Sequence, residues 1–193
     1  MKQIRAAFIG SRKLDEVANQ EQAQLFYDVA YECATLGIIM RSGAAIGADN
    51  IAEQAYAQAI ADGKASEEQV EIFIPWNNFA PYAPLKHLHV IPSDPDLIDK
   101  ANSMVWDTHP APYKLSQGAM KLHSRNMNQV FGLDLETPID LCICWTPNGK
   151  CIGGTASAMR LCWHNGIQVY NLGMECTEII LDDISRHLET IGI

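Results

Sequence analysis

Three short segments of this chain carry the residue types that bind anions. One is Gly10-Ser11-Arg12, directly after an apolar run. Another is "SGAAIGAD", Ser42 to Asp49, where Gly43 and Gly47 bracket small residues. The third is "TPNGKCIGGTASA", Thr146 to Ala158, where Gly153, Gly154 and Thr155 follow Lys150 and open a helical pattern. Glycine lets a ligand approach the backbone closely. Free N–H groups at a helix start favour negative charge. Ser11, Thr146 and Thr155 add hydroxyls, and Arg12 can form two parallel bonds to a phosphate. Each charge-assisted hydrogen bond contributes about 1.5–3 kcal/mol. The chemistry implied is recognition of a phosphate-bearing ligand.

Further candidates stand near these junctions. Asp49 suits either a helix cap or a ribose hydroxyl. Glu53 falls one turn later, on the same face as Asp49. It reads equally as a pocket carboxylate or as an exposed helix residue. "KLHSRN", Lys121 to Asn126, puts His123, Arg125 and Asn126 within one turn, so Arg125 and Asn126 could reach the same pocket. Trp76, Phe79 and Tyr82 could stack on a base, or could pin their own loop. His87, His89 and His109 lack zinc-ligand spacing, so no metal is expected. Cysteines stand at 33, 142, 144, 151, 162 and 176 with no CxxC pair. They read as reduced, mostly core thiols.

The elements that must position these residues follow from periodicity. Apolar runs at Ile4–Ile9, Gly37–Met40, Val70–Ile74, Ile139–Cys144 and Ile167–Tyr170 read as strands. Helical patterns cover Asp15–Leu36, with Val17, Leu25, Val29 and Cys33 inward, and Gly47–Ala61. Others run from Ser93 or Asp94 to Trp106, from Ser116 to Phe131, from Gly154 to Asn165 and from Thr177 to Leu188. Gly37 suits a helix C-cap. Pro75–Pro92 reads as a long loop, and such loops are often functional. Strands without a polar face, alternating with helices, imply an α/β fold: one Rossmann-like parallel sheet with helices on both faces, in a single domain. Ligands in such sheets bind beyond the carboxyl ends of the strands, where all three glycine junctions fall.

Composition sets outer limits. The 193 residues are 48% hydrophobic and 19% charged, ordinary for a globular domain. No apolar run is long enough for a membrane span, and no signal peptide is visible, so a cytoplasmic protein is expected. The net charge of −9 opposes nonspecific binding along nucleic acid, which needs many phosphate-neutralising cations. A single anion in a pocket is less affected, because distant charges are screened beyond about 8 Å.

Taken in order, "GSR", "SGAAIGAD..AEQ", "H.RN" and "CWTPNGK..GGT" resemble the SLOG superfamily of Rossmann-like nucleotide-binding proteins. They are most similar to its DNA-processing protein A (DprA) type, especially phage and prophage versions. The resemblance runs from Ile4 to about Leu172. It implies a homodimer and one of several activities. DprA-type relatives bind single-stranded DNA in recombination, for which Arg12, Arg41, Lys121 and Arg125 could assemble a local groove. More distantly similar Lonely Guy phosphoribohydrolases cut the base from a nucleoside 5′-monophosphate, using an Arg in "MHxRK" and a Glu in "PGGxGTxxE". Arg125 matches that Arg. Ala158 stands where the Glu would fall, and Cys151-Ile152 replaces the first glycine pair. Arg125 and Glu53 remain the weak catalytic candidates, and the expectation leans away from an enzyme. Other relatives sense nucleotide signals in defence, which allows a phage sponge for such a signal, placed in the host cytoplasm. The leading expectation is a protein that binds a small nucleotide or nucleotide-derived ligand without strong catalysis.

Overall fold

The computed structural model describes residues 3–174 and 177–192; Cys176 lies outside them. Six strands form one sheet: β1 (Arg5–Gly10), β2 (Ile39–Ser42), β3 (Val70–Phe73), β4 (His89–Val90), β5 (Leu141–Trp145) and β6 (Gln168–Asn171). Their order is β4-β3-β2-β1-β5-β6, and every pairing is parallel. The helices are α1 (Gln20–Thr35), α2 (Ala48–Ala61), α3 (Pro95–Thr108), α4 (Gln117–Phe131), α5 (Gly153–His164) and α6 (Thr177–Ile191). The α/β Rossmann-like architecture expected from the sequence is the one observed. No helix among the described residues is long and apolar enough to cross a membrane.

Alternation along the strands divides the core in two. Ala6, Phe8, Met40, Ile72, Leu141 and Ile143 face one layer, with buried residues of α1, α2 and α6. Ala7, Ile9, Cys142 and Cys144 face the other, with α3, α4 and α5. Cys33, Cys142, Cys144 and Cys162 are buried free thiols, and Cys151 is exposed. Burial, with the Glu32 carboxylate adding to it, pushes the Cys33 thiol up to about 12.

Local chemistry accounts for several helix ends. Asp94 caps α3 by accepting from the Asp96 and Leu97 N–H groups, and Pro95 fills the first position. Ser116 caps α4 through the Ala119 N–H. Gly37, at φ 80°, turns the chain out of α1.

Three expectations need correction. The segment Asp15–Leu36 does not begin as a helix: short 3-10 turns cover Arg12–Asp15 and Val17–Asn19 before α1 starts. Val17 is 81% exposed. The inward stripe of α1 is Phe26, Ala30, Cys33 and Ala34, one position along from Leu25 and Val29. Tertiary packing decides this, because Phe26 stands edge-on to Phe8 at 6.0 Å. Next, the strap from 75 to 92 contributes β4, a two-residue edge strand paired with β3, too short for periodicity to reveal. Lastly, Arg41 is no groove cation. It lies inside β2, buried, paired with Glu71 and donating to the Val130 and Thr137 carbonyls. The partner Glu71 comes 30 residues later, on the neighbouring strand.

The shifted α1 stripe has a direct consequence. Phe26→Ala is expected to destabilise the fold by about 3–5 kcal/mol, and Val17→Ala by no more than about 0.5 kcal/mol. Urea unfolding of both variants checks this. Equal losses would mean that Val17 packs inward.

Candidate functional site

The strand order fixes where a cavity can open. From β1 the chain winds outward through β2, β3 and β4, then returns to place β5 on the other side of β1. The loops after β1 and β5 therefore part company, leaving a crevice at their carboxyl ends. A cavity of about 480 Å³ occupies this crevice. It lies within the size range of small-ligand sites.

Five elements wall it. The β1 turn contributes Gly10, Ser11, Arg12 and Lys13; the β5 turn contributes Thr146; the start of α5 contributes Gly153, Gly154, Thr155 and Ala158. From α4 come His123, Arg125, Asn126 and Gln129, and from α2 comes Asp49. Of the sequence candidates, Gly10, Ser11, Arg12, Asp49, Arg125, Asn126, Thr146, Gly153, Gly154 and Thr155 are thus brought together. Ser42, Gly43, Gly47 and Glu53 lie outside this lining, as does Lys150.

The glycines divide by task. A Cβ on Gly10 would lie 2.5 Å from the Ala48 Cβ and 2.7 Å from the Trp145 carbonyl. A Cβ on Gly47 would meet the Ser11 carbonyl, and its φ of 92° already favours glycine. A Cβ on Gly43 would fall on the Arg125 guanidinium. These three are packing glycines. Gly153 and Gly154 differ, since a Cβ there meets nothing within 4 Å. They open the start of α5 to the cavity. Ile152, the residue before the helix, offers no side-chain cap, so the first N–H groups of α5 keep their donor capacity.

Behind the cavity lies a buried polar cluster. Asp49 Oδ2 accepts from the Gly43 N–H at 3.1 Å, Arg125 Nη1 at 3.3 Å and Gln129 Nε2 at 3.4 Å. Arg125 Nη1 also donates to Gln129 Oε1 at 3.1 Å. The capping reading of Asp49 changes accordingly. Asp49 does not cap its own helix, whose preceding residue is Gly47. Its carboxylate binds the N–H at the end of β2 and a buried cation. Burial pushes the Asp49 carboxyl above its ordinary range, against the pull of Arg125 and of the Gly43 and Gly10 N–H groups. Burial likewise lowers Arg125, while Asp49 opposes that shift. Arg125 Nε has no partner among the described residues. The Phe79 ring covers the same guanidinium at 5.6 Å.

Glu53 takes neither of its expected roles. It is fully buried beneath the strap. Its Oε1 accepts from the Leu85 N–H at 2.9 Å and contacts His89 Nε2 at 3.0 Å. Trp76 and Phe79 stand edge-on at 5.3 Å, which is the loop-pinning alternative, whereas Tyr82 is 97% exposed. Among the described residues, no three His, Cys, Asp or Glu side chains form a group that could hold a metal.

Three polar lining residues escaped sequence reasoning as site members. Lys13 adjoins Arg12, and Gln129 follows Arg125 by one turn, a spacing that could have revealed it. His123 lies 4.8 Å from His109, ring to ring, and its Nδ1 has no hydrogen-bond partner among the described residues. Burial first, then His109, Arg125 and Arg160, hold its pKa below the usual 6.5. A folded-state pKa below the unfolded one stabilises the protein above about pH 6.5, and that contribution is lost as pH falls through the folded value. Thermal melts from pH 7.5 to 5 should therefore decline less in His123→Gln than in the parent. Gly43→Ala is expected to cost about 3 kcal/mol or more, because it displaces one member of a buried ion pair; urea unfolding measures it.

Comparison with known proteins adds a fold likeness. No family model matches the chain, and no curated protein matches it. Among solved structures, DNA processing protein A from Helicobacter pylori, described for its single-stranded DNA binding mode, aligns with a TM-score of 0.58 at 17% identity. The match covers 97% of this chain and 80% of that one. At that identity the likeness is one of fold.

Proposed function

We propose that this protein binds a nucleotide through its phosphate in the crevice between β1 and β5, without hydrolysing it. The observation that carries this reading is the start of α5. Uncapped, and opened by Gly153 and Gly154, it faces a cavity whose rim holds Arg12 and Lys13. No carboxylate pairs with either cation among the described residues. In this reading the α5 N–H groups, Ser11 and Thr155 donate to the phosphate, and Arg12 supplies the countercharge. Thr146 is held by Asn171, whose Nδ2 lies 2.6 Å from its Oγ1. Asn126 reaches the Gly154 carbonyl at 3.4 Å and steadies the glycine turn.

Two features favour binding over N-glycoside cleavage. Ala158 lines the cavity and stands where the phosphoribohydrolase motif would carry its Glu, and a methyl group transfers no proton. The carboxylate that does line the cavity, Asp49, is tied to Arg125, Gln129 and Gly43.

A second reading is single-stranded DNA binding. It draws on the fold likeness to DNA processing protein A. Local charge limits its extent, because Arg41 and Arg125 are buried and paired, leaving Arg12, Lys13 and Lys121 exposed. Contact of these three with phosphates would give a slope of log K against log salt of only about −2.1.

Calorimetric titration with thymidine 5′-monophosphate tests the main reading. Arg12→Ala is expected to weaken binding about 10- to 100-fold, the equivalent of one charge-assisted hydrogen bond, and Gly154→Asp to abolish it. A bound phosphate would raise the His123 pKa, so binding should take up a proton there and tighten as pH falls. Equal affinity in the parent and both variants would refute the assignment.

A further inference from the structure

The strap from 75 to 92 contributes nothing to the lining of the phosphate cavity, yet it meets two of the cations there. Phe79 lies over the Arg125 guanidinium, 5.6 Å from ring centroid to Cζ. Residues 79–83 share a second cavity, of about 330 Å³, with Arg12. We propose that Glu53 is a positioning residue for the phosphate site: it anchors the strap, and the anchored strap holds Arg125 in place. The inference rests on the phosphate-binding reading of the first cavity and adds to it the element that keeps the cavity floor in register.

Arg125 is fastened at one corner. Nη1 donates to Asp49 Oδ2 and Gln129 Oε1, and Nε has no partner among the described residues. A planar group held at one corner can swivel about it. The Phe79 ring opposes that motion. Cation–π attraction is stronger for a desolvated guanidinium than for an exposed one, and Arg125 is buried. Phe79 is held in turn by its own segment. Trp76 meets it edge-on at 5.3 Å, and Pro75, Pro81 and Pro84 restrict the backbone around it.

Glu53 ties this segment to the body of the protein. Its Oε1 accepts from the Leu85 N–H at 2.9 Å and lies 3.0 Å from His89 Nε2. Burying a charge is costly unless it is hydrogen-bonded, so the strap and the carboxylate depend on each other. Asp49 and Glu53 stand four residues apart on one face of α2. A single helix therefore carries the carboxylate that fixes Nη1 and the carboxylate that fixes the strap. The strap makes a second contact of the same kind, His87 Nε2 to Glu67 Oε1 at 2.9 Å, with both side chains more than half exposed. A surface contact of this sort contributes little, which makes Glu67 a matched control.

The test reads the strap with and without ligand. Without ligand, the ring current of Phe79 shifts the Arg125 Nε–H resonance. Glu53→Ala should remove that shift, and Glu67→Ala should leave it. With ligand, calorimetry with thymidine 5′-monophosphate should show Glu53→Ala about tenfold weaker than the parent and Glu67→Ala equal to it. Glu53→Gln keeps an oxygen acceptor for the Leu85 N–H and should restore most of the affinity. Phe79→Leu keeps apolar bulk without the ring. It should match the loss in Glu53→Ala, and the double variant should lose no more than either alone. If Glu53→Ala does not fold, Phe79→Leu decides by itself. Parent affinity in either variant, additive losses in the double variant, a Glu53→Gln as weak as Glu53→Ala, or an Arg125 resonance that Glu53→Ala leaves in place would overturn the positioning role. Failure of the monophosphate to bind the parent would overturn the phosphate-binding reading, and the Arg125 resonance would still decide whether Glu53 holds the strap over Arg125.

Discussion

The ion pair between Asp49 and Arg125 holds the site together. Asp49 belongs to α2, in one helical layer, and Arg125 to α4, in the other. Their contact passes around the carboxyl edge of the sheet and gathers the Gly43 N–H and Gln129 as it goes. Such a pair is a weak source of net stability, since desolvation opposes the Coulomb attraction. The upward shift of Asp49 and the downward shift of Arg125 both express that opposition. What the pair provides is position. It fixes the floor of the cavity and sets how far α2 and α4 stand apart.

Around that floor, burial and exposure of charge are sharply divided. Arg41 and Arg125 are enclosed and matched with carboxylates, whereas Arg12 and Lys13 line the cavity rim in solvent. An acidic chain thereby keeps a small cationic surface at one place. Counterions screen the remaining carboxylates over distances beyond about 8 Å. The glycines repeat the division. Gly10, Gly43 and Gly47 let protein meet protein, and Gly153 and Gly154 leave a helix end facing open space.

Much of this could be read from the chain. Continuous apolar runs bounded by glycine or proline located five of the six strands and the edge at which they end. The missing strand, His89–Val90, has no periodicity to detect. Within the site, the limits had a common cause: each misread residue has a partner remote in sequence. Gly43 resembles a phosphate glycine until Arg125, from a helix in the opposite layer, is placed against it. Glu53 looks free until His89, 36 residues on, folds over it. Arg41 resembles a surface cation until Glu71 is seen on the adjacent strand. Residue type and spacing marked the anion-binding junctions, and only tertiary contact separated those that face a ligand from those that face the protein.

The most direct test of this account is an amide-resolved NMR titration with a nucleoside 5′-monophosphate. The account predicts that the largest shifts fall on the N–H groups of Gly153, Gly154 and Thr155 and on Ser11, with Gly43 and Gly47 little changed. Shifts centred elsewhere on the surface, or none at millimolar ligand, would contradict it.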